Sequence, residues 1–167
     1  QVFETSFNES EGVVVGMQAK VKVAGEEFSL VVRGSVGASQ LLPPAAALAA
    51  ALAFEVPLSD ALAALGAYEA PPGRARLLAG KSGSSVIDDS YNSSPAAVEE
   101  ALATLKAFPH AKRRIAVLGD MLELGRYSVM EHERIGSLAS ETADIVAAVG
   151  VRARAFATAR KSGGAMV

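Results

Sequence analysis

An open, mainly parallel α/β sheet is the fold class this sequence predicts, and two observations predict it. From residue 75 onward, short apolar runs alternate with helical spacings in the order strand, helix, strand, helix, strand, helix. Half of the residues are hydrophobic, yet aromatics make up 5% and Trp is absent, so the core has to be aliphatic. An interior of Ala, Val, Leu and Ile suits parallel strands covered by Ala-rich helices, because small side chains let helix and strand approach closely.

The elements follow in order. Residues 1–10 are polar and carry two acids, which is not a signal peptide. Residues 13–23 and 26–33 are β-branched and partly alternating, and Ala24-Gly25 between them supplies a tight turn, so they read as a β-hairpin. Gly34 and Gly37 end that pattern. Pro43 and Pro44 fit the first turn of a helix that runs on to Phe54, and residues 59–67 form a second short helix. Ala70-Pro71-Pro72-Gly73-Arg74 is the linker candidate, since two prolines stiffen the chain and a glycine turns it. Residues 75–79 and 84–88 pair around Gly80 to Gly83. Pro95, Val98, Leu102 and Leu105 mark a helix over 95–107. Ile115–Leu118 reads as a short buried strand, 129–140 as a helix carrying Ile135 and Leu138, 145–149 as a strand and 152–161 as a helix.

Composition removes several function classes. Sixteen basic against eighteen acidic residues leave a charge of −2, with no general pull toward nucleic acid or an anionic membrane. The absence of Cys removes disulfides and thiolate metal sites and is compatible with the cytosol. The Ala- and Leu-rich run 41–54 is too short to span a bilayer and reads as a buried helix. A start without Met, and an end at Gly163-Gly164-Ala165-Met166-Val167 that resembles a turn entering a strand, suggest a piece of a longer chain.

Ligands of open α/β sheets bind beyond the carboxyl ends of strands, and two such places are rich in chemistry. The first is Asp88-Asp89-Ser90-Tyr91-Asn92-Ser93-Ser94-Pro95, which packs carboxylates, hydroxyls and an amide before a helix N-terminus that can host an anion. Singly, Ser93 or Ser94 could cap the helix and one Asp could hold the loop. As a block straight after a strand, the eight residues point to a ligand site. The second is Gly119-Asp120-Met121-Leu122-Glu123-Leu124-Gly125, where Asp120 and Glu123 could orient an amine. The competing reading has Asp120 capping a helical turn while Met121, Leu122 and Leu124 pack inward. Arg74, at the linker, could reach phosphate oxygens. His110 lies in a basic loop with Lys112, Arg113 and Arg114 that reads as a solvated edge. His132, within Glu131-His132-Glu133-Arg134, reads as an exposed helix start. The two His lack ligand-like spacing, so no metal site is expected. Neither Gly-x-x-x-x-Gly-Lys-Ser/Thr nor Gly-x-Gly-x-x-Gly occurs.

The stretches VIDDSYNSSPAAVEEAL, RRIAVLGDMLELG, EHERIG and DIVAAVG, in this order after a Pro-Gly-Arg linker, resemble the carboxy-terminal domain of the Mur ligases. The resemblance covers essentially the whole chain. It implies that residues 1–70 are the end of a central P-loop ATPase domain, 71–76 a linker, and 77–167 an incomplete Rossmann-like carboxy-terminal domain. It also implies an ATP- and Mg²⁺-dependent ligase of peptidoglycan synthesis. Its substrate carboxylate becomes an acyl phosphate, and the amine of the second substrate attacks it. The motifs come nearest to the member that joins D-alanyl-D-alanine to UDP-N-acetylmuramoyl-tripeptide. Cytoplasmic location and a monomer are expected with it, and neither nucleic acid nor a membrane as partner.

Carried over motif by motif, Arg74 matches the linker Arg that reaches the nucleotide, and Asp89 the Asp near its ribose, with Asp88, Tyr91 and Asn92 beside it. Asp120 and Glu123 fall on the loop expected to face the amino substrate. No catalytic residue is expected within the chain, because the phosphate-loop Lys and a carbamylated Lys belong upstream; most of the Mg²⁺ ligands belong there too. Two departures stand out. Where the family often has His and Asn for adenine, this chain has Gly37-Ala38-Ser39-Gln40 and Pro43, of which Gln40 alone could supply comparable hydrogen bonds. In place of Tyr-Asn-Ala-Asn-Pro it has Tyr91-Asn92-Ser93-Ser94-Pro95. A cyanophycin- or folylpolyglutamate-synthetase relative, or a nucleotide-binding module without catalysis, are the alternatives; Tyr91-Asn92 and Gly119–Gly125 argue against the first.

Overall fold

The computed structural model describes residues 1–23, 25–158 and 165–166. They form two compact units, Gln1–Tyr91 and Asn92–Val167. The first opens with an antiparallel sheet of β1 (Val2–Ser10), β2 (Val13–Val23) and β3 (Glu26–Arg33), in that order. On β2, Met17, Ala19 and Val21 are buried while Gln18, Lys20 and Lys22 are exposed, so one face of the sheet carries the core. The register sets Ala19 opposite Leu30 and Met17 opposite Val32, both partners buried.

The expected hairpin, β2 and β3, is therefore two strands of a three-stranded sheet with β2 in the middle. Ala24 of its turn lies outside the described residues, and Gly25 follows at φ +90°. The sequence does not announce β1, because an edge strand needs backbone pairing more than an apolar alternation. It is fastened by exposed polar contacts, Glu4 to Lys20 and Gln18 to Ser6.

After a 3₁₀ turn (Ala38–Leu41) come α1 (Leu42–Ala53) and α2 (Leu58–Gly66). The expectation of a buried helix over 41–54 needs correction. Leu41, Pro44 and Leu48 form a buried stripe, whereas Leu42 and Phe54 are 58% and 84% exposed. A helix that is apolar all round is buried only as far as neighbours surround it, and here only that stripe is covered. Beyond β3 the chain is joined to residues 75–77. Val36 donates its backbone N–H to Ala75 O, Leu77 donates to Gly34 O, and the fully buried Ser35 donates its hydroxyl to Ala75 O (3.1 Å). β4 (Arg76–Ala79) and β5 (Ser85–Asp88) then pair antiparallel, as the sequence predicts.

In the second unit, α3 (Pro95–Ala107) begins with Ser94 as N-cap, its hydroxyl accepting from Ala97 N–H, and Pro95 at the first helical position. β6 (Ile115–Gly119), β7 (Ile145–Val149) and β8 (Ala165–Met166) form a parallel sheet in that order, and α4 (Ser128–Thr142) crosses between the first two. Val98, Leu102, Ala116, Met121, Ile135, Ala139, Val146 and Phe156 make its core, aliphatic but for the fully buried Phe156.

Three expectations change in this unit. The strand at 115–118 is buried on one face only, since Ile115 and Val117 are exposed while Ala116 and Leu118 point to the core. The helix expected over 152–161 is a 3₁₀ segment at Ala153–Thr158, and residues 159–161 lie outside the described residues. Arg114 is no solvated edge: its guanidinium donates to the carbonyls of Leu105 and Phe108, closing the C-terminus of α3.

Candidate functional site

The loop after β5 turns its carboxylates back onto residues 73–75. Asp88 Oδ2 accepts from Gly73 N–H (3.2 Å), and Asp88 Oδ1 accepts from the hydroxyl (2.6 Å) and N–H of Ser90. Asp89 Oδ1 accepts from Ala75 N–H at 2.9 Å. Tyr91 N–H in turn donates to Gly73 O. Gly73, at φ +71°, has no room for a side chain, because a Cβ there would lie 2.8 Å from Tyr91 N. Residues 73–75 and 88–91 are thus stitched together, and the residue at the centre of the stitch is Arg74. Its exposed guanidinium sits 4.1 Å from the centre of the Tyr91 ring, which is itself 70% exposed. Hydrogen bonding, first from the Ser90 hydroxyl, holds the Asp88 carboxyl below its ordinary value of 3.8.

Of the residues that the sequence singles out for a nucleotide, Arg74, Asp88, Asp89 and Tyr91 are brought together. Asn92 bonds locally, its side-chain oxygen accepting from Ser93 N–H, and Gln40 turns its amide to Ser39 Oγ at 3.4 Å.

The loop after β6 is built differently. Asp120 Oδ1 accepts from Ala153 N–H at 2.7 Å, and so caps the 3₁₀ segment beyond β7. Gly150, at φ +127°, leaves the space that this carboxylate fills. Met121 is fully buried, as the inward reading has it, but Leu122 is 55% exposed. Glu123 is exposed and adopts φ +62°, a left-handed backbone that costs a non-glycine residue about 1 kcal/mol or more. It lines an open cleft of about 490 Å³ together with Pro95, Glu99, Tyr127, Glu131 and Arg134. Arg134 pairs with Glu131 and Glu99, which raise its pKa in that order, whereas Glu123 has no ion pair among the described residues. One guanidinium offsets only one of the two carboxylates it pairs with, so with Glu123 the cleft keeps a net negative charge that can hold an ammonium group.

His132 corrects the reading of an exposed helix start, for it is fully buried in α4. Nδ1 lies 2.7 Å from Ser128 O, and Nε2 accepts from Met121 N–H at 3.0 Å. The sequence did carry a signal, since His132, Ile135, Gly136 and Ala139 share helical spacing on one face, and all four are buried. No group of three His, Asp or Glu that could hold a metal ion occurs among the described residues.

Comparison with known proteins gives a consistent result. The model of the family described as "Mur ligase, glutamate ligase domain" matches residues 73–165. UDP-N-acetylmuramoyl-tripeptide–D-alanyl-D-alanine ligase of Mycobacterium tuberculosis is 42% identical over 98 residues, which cover 54% of this chain and 19% of that enzyme. A crystal structure of MurF from Acinetobacter baumannii superimposes with a TM-score of 0.76 at 26% identity, over 90% of this chain and 32% of that one. MurF ligase from Thermotoga maritima in complex with ADP gives 0.77 at 24% identity, over 97% and 36%. The chain spans about a fifth of the length of the curated relative it matches here.

Proposed function

The chain belongs to the Mur ligase family, with residues 73–165 as its glutamate ligase domain, and we propose that it supplies the closing part of an ATP-dependent ligase. The substrates proposed are D-alanyl-D-alanine and UDP-N-acetylmuramoyl-tripeptide, the pair in the name of the mycobacterial relative. The border with the preceding domain is placed at 71–76, a reading supported by the start of the family match at residue 73, while the compact units divide further on, between Tyr91 and Asn92. A cytoplasmic monomer fits this role; among the described residues no helix is long and apolar enough to cross a membrane.

One observation carries the reading of the first loop: the stitch between 73–75 and 88–91 presents Arg74 over Tyr91 with its charge exposed. A guanidinium held in this way can meet phosphate oxygens, and the exposed aromatic face beside it can meet a base or ribose. Asp88 and Asp89 act here by fixing the backbone that carries Arg74. ATP supplies the phosphoryl group that activates the substrate carboxylate. Asn92 and Gln40 remain candidate hydrogen-bonding groups at its periphery. Mg²⁺ is assigned to the ligase outside these residues. On the second loop, Glu123 meets the ammonium of the dipeptide and Asp120 sets the backbone before it.

The test is made in the ligase that contains this chain, as phosphate release dependent on both amino and carboxyl substrates. Arg74→Ala raises KM for ATP roughly ten- to a hundredfold, the equivalent of one lost charge-assisted hydrogen bond at about 1.5–3 kcal/mol, while KM for D-alanyl-D-alanine holds. An unchanged KM for ATP sinks the nucleotide assignment. Absence of turnover with D-alanyl-D-alanine, but turnover with another amino substrate, sinks the substrate assignment.

A further inference from the structure

His132 has a chemical identity that a filler of the core would not need. Nδ1 faces the carbonyl of Ser128, which can only accept, and Nε2 faces the N–H of Met121, which can only donate. One tautomer satisfies both partners, the neutral ring protonated on Nδ1. The ring is wedged against Phe156, with centroids 5.0 Å apart, and is closed off from solvent. The bond it accepts fixes the backbone directly after Asp120. Asp120 Oδ1 fixes the same point from the side of Ala153, and the buried Met121 side chain fixes it from the core. Two residues further on stands Glu123 in its left-handed conformation, its carboxylate at the cleft beside α3 and α4. A backbone of that kind persists only where its surroundings over-determine it.

We propose that His132 is a positioning residue: through Met121 N–H it holds the Gly119–Gly125 loop so that Glu123 is presented to the ammonium group of the amino substrate. What Glu123 meets rests on the function proposed above; the hold of His132 on the loop does not.

The unmodified chain is read first, by ¹⁵N spectroscopy of its imidazoles. His132 shows the neutral ring protonated on Nδ1, and Met121 has a slowly exchanging amide. An Nε2-protonated ring, or a fast Met121 amide, overturns the proposal without any variant. The variants are then His132→Leu, which fills space but accepts nothing, and His132→Gln, whose amide oxygen can accept from the same N–H. In the ligase, H132L raises KM for D-alanyl-D-alanine about tenfold with KM for ATP unchanged, and H132Q recovers most of the loss. Equal effects of H132L and H132Q, or a rise in both KM values together, overturn the positioning role. Glu123→Gln separates the two layers. If H132L accelerates Met121 exchange while E123Q leaves KM for the dipeptide unchanged, the hold on the loop stands and the substrate reading of Glu123 fails.

Discussion

The two strand-to-loop corners of this chain use the same residue types for opposite kinds of anchoring. After β5, Asp88 and Asp89 tie the loop to residues 73–75 through part-buried bonds, and the groups left over, Arg74 and Tyr91, are exposed. After β6, Asp120 ties the loop to Ala153, while Met121 and His132 anchor it inside the core and leave Glu123 outside. In each corner the carboxylate nearest the strand serves the backbone. The presumption that an Asp after a strand touches ligand thus shifts to its neighbours: a cation and an aromatic ring in one corner, a strained Glu in the other. The difference is one of rigidity, since the fully buried Met121–His132 contact opens only with the core, whereas part-buried hydrogen bonds can open locally.

The largest effect should come from the core beneath the second corner. Gly136 on α4 lies against the 3₁₀ segment so closely that a Cβ would sit 2.6 Å from Phe156 O and 2.7 Å from Phe156 Cα. Both neighbours are backbone, so nothing can swing away. Gly136→Ala should destabilise the Asn92–Val167 unit by about 1–3 kcal/mol, the usual cost of overpacking, seen as a lower midpoint in denaturant. Met121 amide exchange should rise with it, while that of Ala75 stays as it was. Equal acceleration at both amides would remove the contrast between the corners.

Next in size is the loss of one bond at the second corner. Asp120→Ala removes the acceptor for Ala153 N–H and should cost about 1–2 kcal/mol, the range for a helix cap or a hydrogen bond to a half-exposed charged group. Asp120→Asn keeps an oxygen at the same place and should cost less than half of that. If Ala and Asn cost the same in thermal melts, the bond to Ala153 is not what Asp120 contributes.

How much of this could be read in the sequence depended on the range of the interaction. The alternation of Met17, Ala19 and Val21 marks β2, and Ser94-Pro95 marks the start of α3, because those signals lie within a few residues. β1 escapes, for its backbone pairing leaves little trace in side chains. The targets of the carboxylates escape as well, since Asp89 reaches back 14 residues and Asp120 forward 33. His132 was legible in principle, from its spacing to Ile135 and Ala139, but flanking Glu131 and Glu133 suggest a solvated turn. The strain at Glu123 has no signature in composition at all. The polar block after β5 and the Gly119–Gly125 motif mark where the two corners lie; what each carboxylate does there had to come from geometry.

The smallest effect tests the first corner, through acid. The folded chain holds Asp88 below 3.8, chiefly by the hydroxyl of Ser90, which outweighs the cost of burial, next in size; the N–H groups of Ser90 and Gly73 and the charge of Arg76 add smaller pulls downward. A carboxyl whose folded value lies below its unfolded one contributes stability that is complete above the unfolded value and is lost as pH falls through the folded one. Asp88 should therefore leave its bonds to Gly73 and Ser90 only below pH 3.8, and the loop around Tyr91 should loosen in that interval. Carboxyl ¹³C shifts of Asp88 and the amide shift of Gly73, followed together from about pH 5 downward, should move with one midpoint. Ser90→Ala removes the largest contribution and should bring that midpoint back toward the ordinary value. Were the midpoint the same in S90A, the Ser90 hydroxyl would not be what holds Asp88 down. The first corner would then rest on the backbone bonds alone, nearer in kind to the second than the open contacts around Arg74 suggest.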